Sequence, residues 1–330
     1  MTQHAPIKIR YVPREALATP DVQPEKLLTI INYGERVSSQ SRCPLVTVPL
    51  SQLGATRYLE LWSCATSVER GQFENIDYAT DGEILFGVCQ RPELATTSLE
   101  EITYDIYADV IRLSNAKGCP HFLRIWNFFG DINGIQEGEP RYHRFCAGRY
   151  RALAQFKPDF ERALPAASVI GSRDSGVTMY FLSAREPGMP VENPRQLSAY
   201  RYPAQYSAQS PSFSRAMAKT WGVDVDLYVS GTASIVGHST VHSGDVRGQL
   251  QEIFRNLQAL LKEASNTAGV AFGGIAEASA LKVYVRCPAD FPLIEHALTR
   301  TLGQDLAVLY LQGDLCRSDL LVEIEGMFAH

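Results

Sequence analysis

The chain has 330 residues, of which 45% are hydrophobic and 20% charged, and its formal net charge is −5. The length favours two domains, and the composition predicts a globular protein with a large core. A mildly acidic chain without a basic run argues against nucleic acid or an anionic membrane as the partner.

The sequence also indicates whether the chain is secreted or inserted into a membrane, and whether its cysteines are oxidised. No apolar stretch approaches the ~20 residues that span a bilayer, and charges stand where a secretory signal would have its apolar core. The cysteines contain no C-x-x-C pair, which argues against a zinc ribbon and a disulfide framework. We therefore predict reduced thiols and a cytoplasmic location. The seven cysteines are Cys43, Cys64, Cys89, Cys119, Cys146, Cys287 and Cys316.

The first half of the chain predicts strands and helices in alternation. Residues 1–50 carry several prolines and are interpreted as an irregular lead-in. Ser98-x-x-Glu101 is a capping box that begins a helix with apolar residues at helical spacing. The remaining predictions are strands at Tyr58–Cys64, Glu83–Val88 and Phe122–Phe128, a helix through Tyr142–Gln155, and a hairpin of Ser168–Gly171 with Val177–Leu182.

The second half repeats this order. It predicts a strand at Asp226–Ile235, a helix from Asp245 to Ala264, a strand at Leu281–Arg286, a helix at Asp290–Thr301, and a hairpin of Ala307–Leu311 with Leu320–Glu325. The pattern is a weak internal repeat. It indicates an α+β fold of two halves, each with a mixed sheet and helices on one face.

The last strand of each half differs in its polar positions. Overlaying the two strands places Glu323 on Tyr180 and Glu325 on Leu182. Alternation alone would put both carboxylates in water. A face that only meets water has little reason to carry Tyr and Leu in one copy and two carboxylates in the other. We therefore expect one copy of this face to be covered or to hold a site.

Arginine and tyrosine are concentrated in two segments. Residues 141–149, RYHRFCAGR, contain three arginines, which form either a solvated helix face or an anion-binding face. The connection 187–214 is rich in proline but too aromatic for a solvated tether. It brings Arg201 and, just after it, Arg215 close to several tyrosines, which suggests a small aromatic or cyclic acid as the ligand.

Other motifs give little support to a metal or a nucleotide. His238 and His242 are four residues apart, but Gly237 precedes them and no third ligand is spaced with them, so a hydrogen-bonded turn is favoured over a metal site. No Gly-rich nucleotide loop and no G-x-S-x-G elbow occur. Cys316 is either a small apolar residue of a turn or a thiol beside Glu323. A buried Glu323 would have a raised pKa and could act as a general acid.

The C-terminal half, roughly Ser210–Phe328, resembles the reactive-intermediate deaminase (Rid, formerly YjgF) fold, which is chorismate-mutase-like. Over nearly the whole chain, the sequence is similar to the chorismatases, which convert chorismate to pyruvate and a cyclic acid. The resemblance to the chorismatases rests on the segments RYHRFCAGR, VENPRQLSAYRYP, SPSFSRA and SGTASIVGHSTVH, and on the spacing of Cys316 and Glu323. The branch that it most resembles makes 3-hydroxybenzoate, in some members with 4-hydroxybenzoate.

The resemblance implies two fused Rid-like halves, residues 1–190 with the lead-in and residues 191–330 with the active site. It implies chorismate as substrate, no cofactor or metal, and a monomer or a trimer. Glu323 and Cys316 are the implied catalytic residues, and Glu323 would protonate the enolpyruvyl group. The implied substrate-binding residues are Arg141, Arg149, Arg201, Tyr206, Arg215 and Gly231.

Three alternatives stay open at this point. A chorismate hydrolase would give a dihydroxycyclohexadiene carboxylate, but hydrolytic members tend to carry Ala at the positions of Gly231 and Cys316. A Rid-type imine deaminase would need an arginine where this chain has Val308. A protein that binds a small acid without turning it over is the third. Which arginine binds which carboxylate, the product ratio and the downstream pathway are not determined by the sequence.

Overall fold

The computed structural model describes residues 7–15, 23–34, 45–94, 96–157, 159–203, 209–303 and 306–330. The described part of the predicted lead-in is not irregular: its three strands and the strand that follows form a four-stranded sheet in the order β1-β4-β2-β3. All seven residues of β2 are buried, so its apolar run lacks the alternation that identifies a half-buried strand. The strands are β1 Lys8–Pro13, β2 Leu27–Tyr33, β3 Leu45–Val48 and β4 Tyr58–Ser63.

The next part of the chain forms a six-stranded mixed sheet with two helices. Its elements are β5 Glu69–Phe73, β6 Ile76–Thr80, β7 Ile84–Arg91, α1 Leu99–Ala116, β8 His121–Gly130, the two-residue strands β9 Ile135–Gln136 and β10 Glu139–Pro140, α2 Arg141–Phe156, β11 Ala166–Ser172 and β12 Val177–Ala184. The sheet order is β5-β6-β7-β12-β8-β11.

The remaining chain repeats this arrangement. Its elements are β13 Met189–Val191, β14 Ala216–Trp221, β15 Asp224–Thr232, the short β16 Ile235–Val236 and β17 Ser239–Thr240, α3 Val246–Ala268, β18 Ala280–Val285, α4 Phe291–Leu302, β19 Val308–Gln312 and β20 Val322–Ala329. The sheet order, β13-β14-β15-β20-β18-β19, matches the first sheet strand for strand. The predicted α+β class with two equivalent halves is confirmed. The boundary at residue 190 stays a prediction.

The two predicted hairpins are wrong, and for the same reason. β12 does not pair with β11, because β8 lies between them; likewise β18 lies between β19 and β20. In each half a helix carries the chain over to a parallel edge strand, and the last strand then inserts in the middle of the sheet. An alternating pattern identifies a strand but not its neighbour.

Two of the helices, α1 and α3, begin at side-chain caps, whereas α2 and α4 begin without one, and α3 continues past its predicted end at Ala264 to Ala268. Ser98 caps α1 through a complete capping box with Glu101. Asp245 accepts a hydrogen bond from the backbone of Arg247 at the start of α3, and Gly269 ends that helix in the left-handed conformation. None of the described helices combines the length and the apolarity that crossing a bilayer requires.

The core is divided into layers by the two six-stranded sheets. Helices α1 and α2 cover the outer face of the first sheet, and α3 and α4 cover the outer face of the second. The inner faces contribute to a central cluster that also contains Leu28, Ile31 and Trp62 of the four-stranded sheet. Edge strand β11 of the first sheet contacts β14 and β15 of the second. The inner, helix-free faces of the two halves therefore meet inside the molecule.

Candidate active site

A cavity of about 390 Å³ lies where the inner faces of the two halves meet. The first half contributes the loop after β8 and the start of α2, and the second half contributes β15, β20 and the loops before β14 and β20. Its walls are formed by Ile132, Asn133, Pro140, Tyr142, His143, Tyr202, Pro211, Phe213, Arg215, Gly231, Ala233, Ile235, Cys316, Arg317, Ser318, Asp319 and Glu323. The volume is in the range of pockets that bind small molecules.

Glu323 lies on β20 with its side chain buried at the wall of this cavity. Burial raises the pKa of its carboxyl to about 8, and the charge of Glu325 adds to the rise, while Arg124 and Arg215 oppose it. No described residue donates a hydrogen bond to the carboxyl. Glu323 therefore holds a proton at neutral pH and faces the cavity with it.

Gly231 lies directly beside this carboxyl. A Cβ atom added to Gly231 would lie 1.8 Å from Glu323 Oε1, so no larger residue fits without moving the acid. Cys316 lines the same cavity, and burial raises the pKa of its thiol to about 12, with the charge of Glu323 adding to the rise. At neutral pH the cysteine is therefore a neutral thiol and not a thiolate nucleophile.

Two guanidinium groups that line the cavity lie close to the ring of Tyr202. Arg215 Nη2 donates to Tyr202 Oη at 2.7 Å and to the Leu197 carbonyl at 2.8 Å, while its buried Nε has no partner among the described residues. The guanidinium carbons of Arg215 and Arg317 lie 5.7 and 5.5 Å from the ring centre of Tyr202. Arg215 is buried and makes no ion pair with a described residue. A buried guanidinium without an anionic partner is unfavourable, so this environment favours the binding of an anion.

Three other predicted binding residues, Arg141, Arg149 and Arg201, are not among the residues that line the cavity. Arg141 makes a bidentate ion pair with Glu93 at 2.7 Å. Arg149 is buried over the ring of Phe145, and none of its three side-chain nitrogens has a partner among the described residues. Arg201 is exposed. Tyr206 lies outside the described residues.

Glu325, two residues further along β20, is buried in a cluster of charges. Its Oε2 atom lies 2.8 Å from Arg124 Nη2 and accepts from Ser168 Oγ at 2.5 Å, and its Oε1 atom accepts from Trp126 Nε1 at 2.7 Å. Burial alone would raise the pKa of Glu325, but Arg124 and Lys282, with these hydrogen bonds, lower it. Glu325 is therefore ionised. The expectation that one copy of this face is covered or holds a site agrees with the burial of both carboxylates.

A second ion pair completes this cluster. Lys282 Nζ lies 3.0 Å from Glu60 Oε2 and 3.4 Å from Glu325 Oε1. Arg124 and Lys282 occupy equivalent positions in the two halves, because each is paired with the equivalent residue of its last strand, Leu182 and Glu325. The cluster thus joins the carboxyl groups of Glu60 and Glu325 to two cations, Arg124 from the first repeat and Lys282 from the second.

Several of these residues could not be singled out from the sequence. Tyr142 and Arg317 adjoin predicted residues, and that adjacency is the only local signal for them. Ser168 and Arg124 lie on adjacent strands of the first sheet and Lys282 lies on the second, so the three surround Glu325 only because the two sheets face each other. Among the described residues no three His, Cys, Asp or Glu side chains are grouped as metal ligands. His242 Nε2 lies 3.8 Å from Glu252.

Known proteins resemble the chain over its full length. The family model for FkbO/Hyg5-like chorismatases, N-terminal region, matches residues 60–183. A 3-hydroxybenzoate synthase of Streptomyces hygroscopicus is 35% identical over 91% of this chain and 91% of that protein. A chorismatase of Streptomyces rapamycinicus is 34% identical over 98% of this chain and 99% of its own length.

A solved structure extends the likeness to the fold. The crystal structure of a chorismatase superposes with a TM-score of 0.90 at 31% identity, and the match covers 99% of this chain and all of that one. Together with the identity to the two relatives over nearly their whole length, this shows that the chain belongs to the chorismatase family.

Proposed function

We propose that this chorismatase converts chorismate to pyruvate and 3-hydroxybenzoate, with Glu323 as the general acid. The observation that carries the proposal is a buried carboxyl, with a pKa of about 8, at the wall of a cavity that two guanidinium groups also line. Such a carboxyl is an effective acid near neutral pH because its pKa is close to the working pH.

The cavity suits a small dianion with a ring. Chorismate carries two carboxylates, and guanidinium groups bind carboxylates through charge-assisted hydrogen bonds. Arg215 and Arg317 are the cations that line the cavity, so we assign carboxylate binding to them. Tyr142 and Phe213 supply aromatic surface for the ring. Binding roles for Arg141, Arg149, Arg201 and Tyr206 stay predictions.

The proposed reaction starts with transfer of the Glu323 proton to the methylene carbon of the enolpyruvyl group. The enol ether becomes an oxocarbenium ion, its bond to the ring breaks, and pyruvate leaves. The hydroxyl oxygen on C4 of the ring attacks C3 as the ether bond breaks and returns its proton to the Glu323 carboxylate, which leaves an epoxide across C3 and C4. Cleavage of the epoxide C4–O bond, loss of the C3 hydrogen as a proton and protonation of the oxygen give 3-hydroxybenzoate, whereas cleavage of the C3–O bond gives 4-hydroxybenzoate. In atoms, chorismate equals the sum of pyruvate and hydroxybenzoate, so the net reaction consumes neither water nor an oxidant.

Cys316 and Gly231 support the aromatising branch over hydrolysis. The cavity beside Glu323 keeps a thiol where a methyl group would leave more room for water, and Gly231 lets the carboxyl lie against the backbone. We expect Cys316→Ala to shift the product mixture towards the dihydroxy diene acid with a KM changed less than threefold. Chromatography of the products from chorismate measures the ratio, and an unchanged mixture contradicts a role for the thiol.

The direct test is to incubate the purified protein with chorismate and separate the products by chromatography. The expected products are pyruvate and 3-hydroxybenzoate, with any 4-hydroxybenzoate as a minor product, and the amount of pyruvate should equal the sum of the two hydroxybenzoates. Pyruvate together with the diene acid alone would assign the chain to the hydrolases. Absence of pyruvate would overturn the proposal. The cytoplasmic location and the choice between monomer and trimer stay predictions.

A further inference from the structure

The hydroxyl of Ser168 connects the two halves next to the proposed acid. Ser168 lies on β11 of the first half and is buried. Its Oγ donates to Glu325 Oε2 at 2.5 Å and accepts from Arg124 Nη2 at 2.6 Å and from the backbone N–H of Gly231 at 2.9 Å. A hydroxyl has one donor and two acceptor positions, so every one is used.

The Gly231 N–H is available to Ser168 because β15 is irregular at this point. The register between β15 and β20 shifts between Val229 and Thr232, as in a β-bulge. The neighbouring residues 230 and 231 therefore both face the first half: Ser230 Oγ accepts from the N–H of Ala167, and Gly231 donates to Ser168. Bulges of this kind often re-aim groups at active sites.

The proposed acid rests on this same glycine. The contact is close enough that a Cβ on Gly231 would meet Glu323 Oε1 at 1.8 Å and Ser168 Oγ at 3.1 Å. The Glu323 carboxyl, Gly231 and the Ser168 hydroxyl thus lie next to one another. Since Glu323 receives no hydrogen bond from the described residues, its place is set by packing against Gly231.

We propose that Ser168 is a positioning residue for the reaction: by holding the Gly231 N–H and the Glu325 carboxylate together, it fixes the wall against which Glu323 is placed. The first half of the chain is then a required part of the catalytic centre, although the acid lies in the second half. This inference rests on the proposed function of Glu323 as the general acid.

A control variant is needed to distinguish a positioning role of Ser168 from a purely structural one. Ser230 is a matched control, because its buried hydroxyl also bridges β11 and β15: it accepts from Ala167 N at 2.9 Å and donates to the Ser214 carbonyl at 2.6 Å. Among the described residues, the Ser230 hydroxyl makes its hydrogen bonds to Ala167 and Ser214 and none to Glu323 or Glu325. Its loss should weaken the junction of the halves without moving the acid.

The experiment measures chorismate turnover by pyruvate release for the wild type, Ser168→Ala and Ser230→Ala. Ser168→Ala should lower kcat on the order of 10–100-fold, the effect of a reacting group displaced by about 1 Å, with KM changed less than threefold. Ser230→Ala should lower Tm to a similar extent and leave kcat within threefold of the wild type. Ser168→Cys replaces the hydroxyl with a larger thiol that is only a weak donor and acceptor, and it takes the place of Ser168→Ala if the latter does not fold.

The pH profile of kcat gives a second readout. Glu325, Arg124, Arg215 and Cys316 interact electrostatically with Glu323. The other charged and titratable groups among the described residues of the cavity wall are Tyr142, His143, Tyr202, Arg317 and Asp319. Loss of the Ser168 hydroxyl makes room for water beside Glu323, so the basic limb should move to lower pH by at least half a unit in Ser168→Ala and stay in place in Ser230→Ala.

Equal kcat values and equal basic limbs for the two variants would overturn the assignment of Ser168 while leaving the proposed function intact. A wild type that releases no pyruvate from chorismate would overturn the proposed function, and the role of Ser168 would fall with it. A normal rate in Ser168→Cys together with a reduced rate in Ser168→Ala would show that the strong hydrogen bonds of the hydroxyl are not needed and would also contradict the proposal.

Discussion

The inner face of β20 carries two carboxyls, those of Glu323 and Glu325, in contrasting surroundings. Glu323 faces the cavity without a hydrogen bond from the described residues, and burial raises its pKa to about 8. Glu325, two residues along the same face, is equally buried but is surrounded by Arg124, Lys282, Ser168 and Trp126, and its pKa is lowered. Burial is common to both, so the partners decide the charge.

The contrast shows how one strand can supply both a proton donor and a fixed anion. The ionised Glu325 raises the pKa of Glu323 further, because a second negative charge close by is unfavourable. Arg124 and Lys282 keep Glu325 ionised by compensating its charge inside the core. The ionic cluster is thus coupled to the cavity, and substitutions on the two sides should separate loss of activity from loss of stability.

The largest effect should come from removing the proton at Glu323. Glu323→Gln keeps the shape of the side chain but cannot act as an acid, so we expect kcat to fall on the order of 10²–10⁴-fold. Pyruvate release from chorismate measures the rate, and circular dichroism verifies the fold. A rate within threefold of the wild type would clear Glu323 of the acid role.

At the second of the two carboxyls, the substitution Glu325→Gln should mainly lower the stability of the protein. It leaves Arg124 and Lys282 buried with one anion fewer, which costs about 3–5 kcal/mol in the free energy of unfolding. Urea denaturation measures this. Glu295→Gln, on the exposed face of α4, is the control and should change stability by less than about 0.5 kcal/mol. A loss below about 1 kcal/mol for Glu325→Gln would show that the cluster contributes little.

Arg215→Ala should weaken substrate binding. Loss of a charge-assisted hydrogen bond of about 1.5–3 kcal/mol corresponds to a KM raised roughly 10–150-fold, with a smaller change in kcat. Steady-state kinetics with chorismate measures both constants. Arg300→Ala, on the exposed side of α4, is the matched control. Equal KM values for the two variants would remove Arg215 from the binding site.

The smallest effect is a pH-dependent gain in stability for Glu323→Gln. The pKa of Glu323 rises from 4.5 to about 8 on folding, so the folded state binds more protons than the unfolded state between these pH values. Wild-type stability therefore falls as the pH rises from about 4.5 to about 8. Glutamine does not titrate, so the variant should be more stable by about 1–3 kcal/mol at pH 8 and show no gain at pH 4. Thermal unfolding across this range is the measurement, and a gain independent of pH would contradict the raised pKa.

Much of the fold could be predicted from local patterns. The capping box at Ser98, the apolar stripe of α3 and the repeated order of strands and helices are properties of short segments, and the structure contains all of them. Strand neighbours could not be predicted in this way. Both predicted hairpins join strands that are adjacent in sequence but separated in the sheet, and the fully buried β2 lacks an alternating pattern that would identify it.

The candidate site likewise contains residues that could be predicted from the sequence and others that could not. Glu323, Cys316, Arg215 and Gly231, identified through a family resemblance, line or adjoin one cavity. Ser168 could not be identified, because a single serine in an apolar strand has no distinguishing pattern. Its importance arises from contacts with residues about 60 and 160 positions away, at Gly231 and Glu325.

The sequence by itself determined the two equivalent halves, the element types and the family to which the chain belongs, because periodicity, capping and motif spacing are encoded within short segments. Only the tertiary structure decided which of the two carboxyls on β20 holds a proton. That outcome depends on the partners of the two buried carboxyls: Glu325 is paired with Lys282 on the adjacent strand and meets Arg124 of the facing sheet at 2.8 Å, whereas Glu323 receives no hydrogen bond from the described residues. The charge state of a buried group is set by its neighbours in space, and the order of residues does not specify them.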